Sequence, residues 1–299
     1  MRVFFILIIF FLPFSICAQS AGKLRPLSPE ELQARKAQKS ELTSDSINAA
    51  IKVLRSYADS MSRGSSDAVR KAYCAIFNPL LLDVLKSPIS FDHPFDSLKT
   101  LSALKSPDGY VRIYTWFLQS RETGTFEYFG VVQRINPKTK SFGLQGLIEK
   151  KYPTDIAEIN LFDVDEWYGA VYYDILERKI NKKTCYFLLG WHGKDRFSSR
   201  KVIDVLSFDP WENAEFGLPV FIGQTDVKTK YRVIFEFAAN AVMLLRYDKK
   251  KKMVVFDHLS PSSPSLKGNF SQYGPDFTYD GYRFKKSKWI YKKNLDLRN

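Results

Sequence analysis

The feature that most constrains the fold is a change of hydrophobic period at Ser106-Pro107-Asp108-Gly109. Before it, apolar residues recur every three to four positions. Ile47, Ala50, Ile51, Leu54, Ala58 and Met61 form one stripe, and Val69, Ala72, Tyr73, Ile76 and Phe77 form another. Such spacing predicts amphipathic helices over Ser46 to Met61 and from about Ser66 toward Leu85, with Pro79 expected to kink or divide the second. Ser28-Pro29-Glu30-Glu31 reads as the capped start of an earlier helix to about Lys39. A last helical piece is expected from Phe95 to Leu104.

After Gly109 the period becomes two. Val111, Ile113, Thr115 and Phe117 fall on one side of an extended chain, and Tyr110, Arg112, Tyr114 and Trp116 on the other. Ten further segments behave alike: Thr125 to Ile135, Phe142 to Glu149, Tyr168 to Arg178, Thr184 to Trp191, Lys201 to Phe208, Tyr231 to Phe237, Val242 to Tyr247, Met253 to Leu259, Thr278 to Lys285 and Lys288 to Lys292. Short links such as Asn136-Pro137, His192-Gly193 and Asp209-Pro210 separate them. Strands joined so closely pair mostly antiparallel, and without long helices between them a parallel sheet is disfavoured. The expected class is α+β: a helical segment over 28–106 packed on a large antiparallel β meander over 107–299, arranged as a sandwich, a barrel or an incomplete propeller. The echo of PDGYVRIY in YDGYRFKK, Tyr279 to Lys286, is too isolated to establish a blade repeat.

Residues 1–18, MRVFFILIIFFLPFSICA, carry one basic residue and an apolar run that is too short for a stable bilayer span. They predict a signal peptide cleaved after Ala18, followed by a linker over 19–27 and an exported chain, periplasmic or secreted, with no transmembrane segment. Lipid attachment at Cys17 is the other reading, disfavoured by Ile16 before it. Of the remaining cysteines, Cys74 and Cys185 are able to pair in an oxidising compartment, although Cys185 in TCYFLLGW reads as a small buried residue beside Phe187, Leu189 and Trp191.

Catalytic signatures are sparse. There is no GxSxG elbow, Walker loop or GxGxxG, so no nucleotide cofactor is expected. His93, His192 and His258 show no metal-ligand spacing, and no metal is expected. His192 reads as a hairpin-tip residue, His93 as a loop residue, and Asp257-His258 as a hydrogen-bonded strand end. Asp163, Asp165 and Glu166 form the densest acidic cluster. With Asp276 and Asp280 they are the carboxylates by which a glycan or peptide hydrolase would work, if two of them flanked a cleft.

The strongest asymmetry is charge. The formal total is +13, and +10 of it lies between Lys228 and Asn299. Lys249, Lys250, Lys251 and Lys252 read as a solvated turn, while Lys285, Lys286 and Lys288 alternate with aromatics that include Trp289. In an exported protein this pattern suits an anionic envelope glycan or membrane surface better than nucleic acid. The leading expectation is therefore a non-enzymatic binding or scaffolding module, with the hydrolase as alternative.

Several stretches together, HPFDSLKTLSALKSPDGYVRIYTW, EWYGAVYYDI, LLGWHGKD, RVIFEF, VVFDHLSP and YGPDFTYDGYRF, resemble a family of exported, β-rich Gram-negative bacterial proteins of unassigned function. The resemblance covers nearly all of the chain after about residue 65 and brings no catalytic or binding residues with it. Members more often carry Asp-Gly after LLGW, where this chain has His192-Gly193, so the resemblance implies no catalytic histidine there.

Overall fold

The computed structural model describes residues 43–136, 138–223 and 229–297. The expected signal peptide, linker and first helix lie outside them. Helix α1, Ser44–Arg63, is capped by Thr43, whose side chain accepts from the Ser46 amide, and it buries Ile47, Ile51, Leu54, Ala58 and Met61. Helix α2, Asp67–Leu85, buries Cys74, Phe77, Leu81, Val84 and Leu85. Of the kink or division expected at Pro79, the division does not occur, and the helix is continuous through it. Pro79 and Ala75, whose carbonyl loses its helical partner, both lie on the exposed side, where water replaces the missing bond.

The stretch expected as a last helix, Phe95 to Leu104, is instead a series of bends running into strand β1, Ser102–Lys105, and a 3₁₀ turn, Pro88–Asp92, precedes it. Pro107 therefore stops no helix. Ser106 to Gly109 turn the chain between β1 and β2, Val111–Gln119, with Gly109 at φ 68. Asp108 fastens this turn. It accepts from the Ser106 hydroxyl and the Tyr110 amide, and its second oxygen accepts from the Tyr186 hydroxyl at 2.8 Å. With β3, Phe126–Ile135, and β4, Phe142–Ile148, these strands make sheet 1, in the order β1-β2-β3-β4.

A short helix α3, Thr154–Ala157, leads toward sheet 2, built from β5 (Val171–Ile180), β6 (Lys183–Gly193), β7 (Ser198–Phe208) and β10 (Val233–Ala238). Its order is β10-β7-β6-β5, with β8 (Ala214–Phe216) also on β7. Sheet 3 runs β11-β12-β13-β14-β9: Leu245–Asp248, Met253–Pro261, Tyr273–Lys285, Lys288–Lys292 and Phe221–Ile222. All pairings between these strands are antiparallel except β14 with β9. Asp280-Gly281, the echo of the first turn, is no turn at all: it lies inside β13 opposite Phe256 and Val255.

Three apolar clusters order the layers. Helices α1 and α2 bury against Tyr114, Trp116 and Leu118 of sheet 1. The opposite side of sheet 1, with Val111, Ile113 and Val132, packs on Tyr186, Leu188, Val202 and Leu206 of sheet 2. The other side of sheet 2, with Cys185, Phe187, Leu189, Ile203 and Val205, packs on Val254, Phe256, Tyr282 and Trp289 of sheet 3. Sheet 2 is thus covered on both sides, which is why β6 and β7 are almost continuously apolar. The architecture is α+β, with sheets stacked rather than closed into a barrel.

Among the described residues one ion pair, Arg232 with Asp204, has both side chains wholly removed from water. Arg232 and Asp204 are both 0 % exposed, and Nε of the arginine lies 3.1 Å from the carboxylate. The Tyr172 hydroxyl donates to the other carboxylate oxygen at 2.9 Å and accepts from Trp167 Nε1 at 3.0 Å. Three of the four remaining guanidinium hydrogens go to the Ala157, Asn160 and Phe216 carbonyls. Such dense hydrogen bonding is what permits the pair in a core.

Candidate functional site

A cavity of about 200 Å³ opens where the ends of sheets 1 and 2 meet. Phe126 comes from β3, Glu149 from the residue after β4, Tyr152 and Lys151 from the link beyond, Tyr168 from the approach to β5, His192 from the end of β6, and Arg200 from β7. Lys194 in the β6–β7 turn completes the rim.

His192 is the centre of this arrangement, and the structure corrects its reading as a hairpin tip. It lies inside β6 and is 8 % exposed. Its ring stacks on Tyr128 with centroids 4.7 Å apart and leans on Tyr168 at 5.0 Å. Nδ1 lies 2.6 Å from the Gly169 carbonyl. Because a carbonyl only accepts, Nδ1 holds the hydrogen, and Nε2, which has no partner among the described residues, presents a lone pair. Burial pulls the imidazole pKa down to about 4, the Gly169 bond opposing it and the Arg200 and Lys151 charges adding to it. At neutral pH the ring is an uncharged acceptor.

Gly169 makes this geometry available. Its φ is 81, a region that disfavours side chains, and a Cβ there would stand 2.9 Å from Glu149 Cγ and 3.1 Å from Tyr128 Cβ. The glycine thus lets Glu149, Tyr128 and His192 converge. Glu149 accepts from the Tyr128 amide at 2.9 Å, while burial holds its pKa above the ordinary carboxyl value, against the opposing effects of that bond and of Lys151.

The cations differ in commitment. Arg200 donates to the Tyr168 hydroxyl at 3.0 Å and to Glu236 at 2.8 Å. Lys194 donates to the same Glu236 at 2.7 Å, which also takes the Ser198 hydroxyl. Glu236 is therefore consumed by three donors. Lys151 is exposed and makes no ion pair among the described residues.

The carboxylates singled out in the sequence do not line this cavity. Asp163 and Asp165 are exposed, and Asp163 accepts from the Asp165 amide in a local turn. Glu166 has a supporting place: it accepts from Lys150 at 2.6 Å and from the Tyr152 hydroxyl at 3.0 Å, steadying one cavity wall. Asp276 is exposed and holds Ser260 and Thr278. Asp280 is 1 % exposed and gathers His258 Nδ1 at 2.7 Å, the Tyr291 hydroxyl and the Asn294 amide, so it anchors the segment after β14. His258 is thereby paired with Asp280, whereas Asp257 takes the Leu244 amide.

The expected basic surface is divided. Register places Met253 opposite Arg283 and Lys285 opposite Lys288, so the turns carrying Lys249 to Lys252 and Lys285 to Lys286 meet at one end of sheet 3. Lys249, Lys250, Lys252, Lys285 and Lys286 are exposed, Lys251 is half-buried, and Lys288 reaches the Pro219 carbonyl. Trp289 does not belong to that surface. It is 0 % exposed, edge-on to Phe187 at 5.3 Å, because alternation in β14 turns it toward sheet 2. Trp191 leaves the Cys185 side and packs on Phe117 and Phe126 of sheet 1. Cys74 and Cys185 are both buried and free, in separate clusters. Among the described residues no group of three or more His, Cys, Asp or Glu side chains is placed to hold a metal, and no helix is long and apolar enough to cross a membrane.

No protein-family model, curated protein or solved structure matches this chain.

Proposed function

We propose that this chain is an exported, non-enzymatic binding module whose cavity between sheets 1 and 2 takes an acidic sugar unit of an envelope glycan. The observation that carries this reading is the pairing, in one aromatic-walled cavity, of the His192 Nε2 acceptor with the uncommitted ammonium of Lys151. A uronic acid has what those groups want: hydroxyls to donate to His192 and Glu149, a carboxylate for Lys151, and an apolar ring side for Phe126 or Tyr152. A volume of about 200 Å³ suits one sugar unit rather than a cofactor. The lysine turns at the end of sheet 3 would add salt-sensitive attraction to the same anionic matrix.

Calorimetric titration with a glucuronate-containing oligosaccharide, beside its neutral glucose counterpart, tests the proposal. The acidic ligand should bind more tightly, and Lys151→Gln should weaken it about tenfold, or ~1.4 kcal/mol. Equal affinity for both ligands would reject the assignment.

One observation favours the hydrolase alternative. Glu149 lines the cavity, and its burial raises its carboxyl pKa, the direction a general acid needs. Glycan incubated with the wild-type protein should then release reducing ends, and Glu149→Gln should abolish the release. Its absence from the wild-type reaction leaves the binding role.

A further inference from the structure

A second cavity, of about 470 Å³, lies between the end of α1, the bends before β1, and the ends of β2. It shares no residue with the sugar cavity. Three cations line it, each from a different part of the chain: Arg70 from α2, Lys99 from the bends, and Arg121 from the β2–β3 turn. Lys99 has no partner among the described residues, and Arg121 uses one nitrogen on the Ser62 carbonyl at 2.8 Å. Asp67 pairs with Arg70 and also accepts from the Ser120 hydroxyl and the Arg121 and Glu122 amides.

Two of the lining residues carry a polar atom that is closed to solvent and has no partner among the described residues. Arg70 is 4 % exposed, and its Nε has no hydrogen-bond partner; nor has the buried Oγ1 of Thr100. A buried donor without a partner costs on the order of a hydrogen bond's desolvation, so an anion close to the Arg70 guanidinium would offset part of that cost. A neighbouring cavity shares Lys99 and Thr100 and adds Arg55 and Arg63, neither of which forms an ion pair among the described residues. Asp59 and Asp96 also line that cavity, so cations still outnumber carboxylates along the groove.

We infer that this groove is a binding site for a phosphate oxyanion, with Lys99 and Arg121 as the entry contacts and Arg70 and Thr100 as the inner wall. Donors converging from three parts of the chain suit a tetrahedral anion with several oxygens better than a planar carboxylate. Arginine's rigid fork also favours phosphate, and the cavity volume is within the range of small-ligand sites.

The test uses the full chain, inorganic phosphate and pyrophosphate, and ¹H–¹⁵N spectra of the arginine Nε–H groups. Phosphate should shift the Arg70 and Arg121 signals in a saturable way. Pyrophosphate, able to extend toward Arg55 and Arg63, should bind more tightly. The Lys99→Gln/Arg121→Gln pair replaces exposed side chains and should weaken phosphate at least about tenfold while leaving the thermal midpoint near wild type. Lys151→Gln should leave phosphate binding unchanged. An Arg70 Nε–H signal indifferent to phosphate, or a phosphate affinity that survives the double replacement, would overturn the inference.

Discussion

His192 makes the cavity's electrostatics measurable without a ligand. In the unfolded chain its pKa is about 6.5, and in the fold burial lowers it to about 4. A folded-state pKa below the unfolded value means the fold favours the neutral ring. The stabilisation is complete above roughly pH 6.5 and is lost as pH falls toward about 4, with a slope of at most about 1.4 kcal/mol per pH step. Integrated from about pH 7.5 to about pH 4.5, the loss is about 2.5 kcal/mol. Glu149 has the opposite sign. Its folded-state pKa is raised, so its contribution is present below the unfolded value and fades as pH rises through the folded one, partly offsetting His192 in wild-type data. Comparison with His192→Asn removes that offset, since asparagine keeps a donor for the Gly169 carbonyl but does not titrate. Urea denaturation of both proteins across this range should show the wild-type advantage shrinking by about 2.5 kcal/mol toward acid. An advantage that changes by less than about 0.5 kcal/mol would refute a buried neutral imidazole.

Gly169→Ala should destabilise the fold by about 1 kcal/mol or more, because φ is positive there and the new methyl meets Glu149; circular-dichroism melts measure this, and acidic-sugar affinity should fall with it. Arg232→Met strands the Asp204 charge and should cost about 3–5 kcal/mol in urea denaturation, much of it recovered on adding Asp204→Leu. Cys74 and Cys185 should resist a thiol reagent until the chain unfolds, because both are buried and burial pushes the Cys74 thiol up to about 11; prompt native-state labelling would contradict the packing.

The strands were legible because burial writes itself into alternation, whereas their stacking into layers stayed open among sandwich, barrel and propeller. Cys185, Phe187 and Leu189 marked one apolar side of β6 in the sequence, and the structure shows Tyr186 and Leu188 covered on the other. Single-residue signals were weaker where context overrode them. Pro79 did not end α2, because its missing bond falls on the wet side. Asp280-Gly281 looked like a turn and proved to be mid-strand, because a buried aspartate with three donors needs no turn to justify it. Phe95 to Leu104 read as helix, yet Ser102–Lys105 find a partner in β2, a pairing that local periodicity does not contain.

The cavity was hidden for a related reason. Its members are ordinary residues in sequence: a glutamate after a strand, a glycine before one, a histidine beside another glycine. No spacing connects Tyr128, Glu149, Gly169 and His192, whose contacts span 21 to 65 positions. What selects them is the requirement that two sheets meeting at an edge leave polar backbone to be satisfied there. The Tyr128 amide takes Glu149, the Gly169 carbonyl takes His192, and the Gly193 amide and carbonyl lie within hydrogen-bonding reach of the Tyr128 hydroxyl. Once those obligations are met, His192 has one nitrogen left over and Lys151 forms no ion pair among the described residues. The surplus is what separates this cavity from the Asp204–Arg232 interior, where the carboxylate and the guanidinium are shared out among protein groups and nothing is left to offer a ligand.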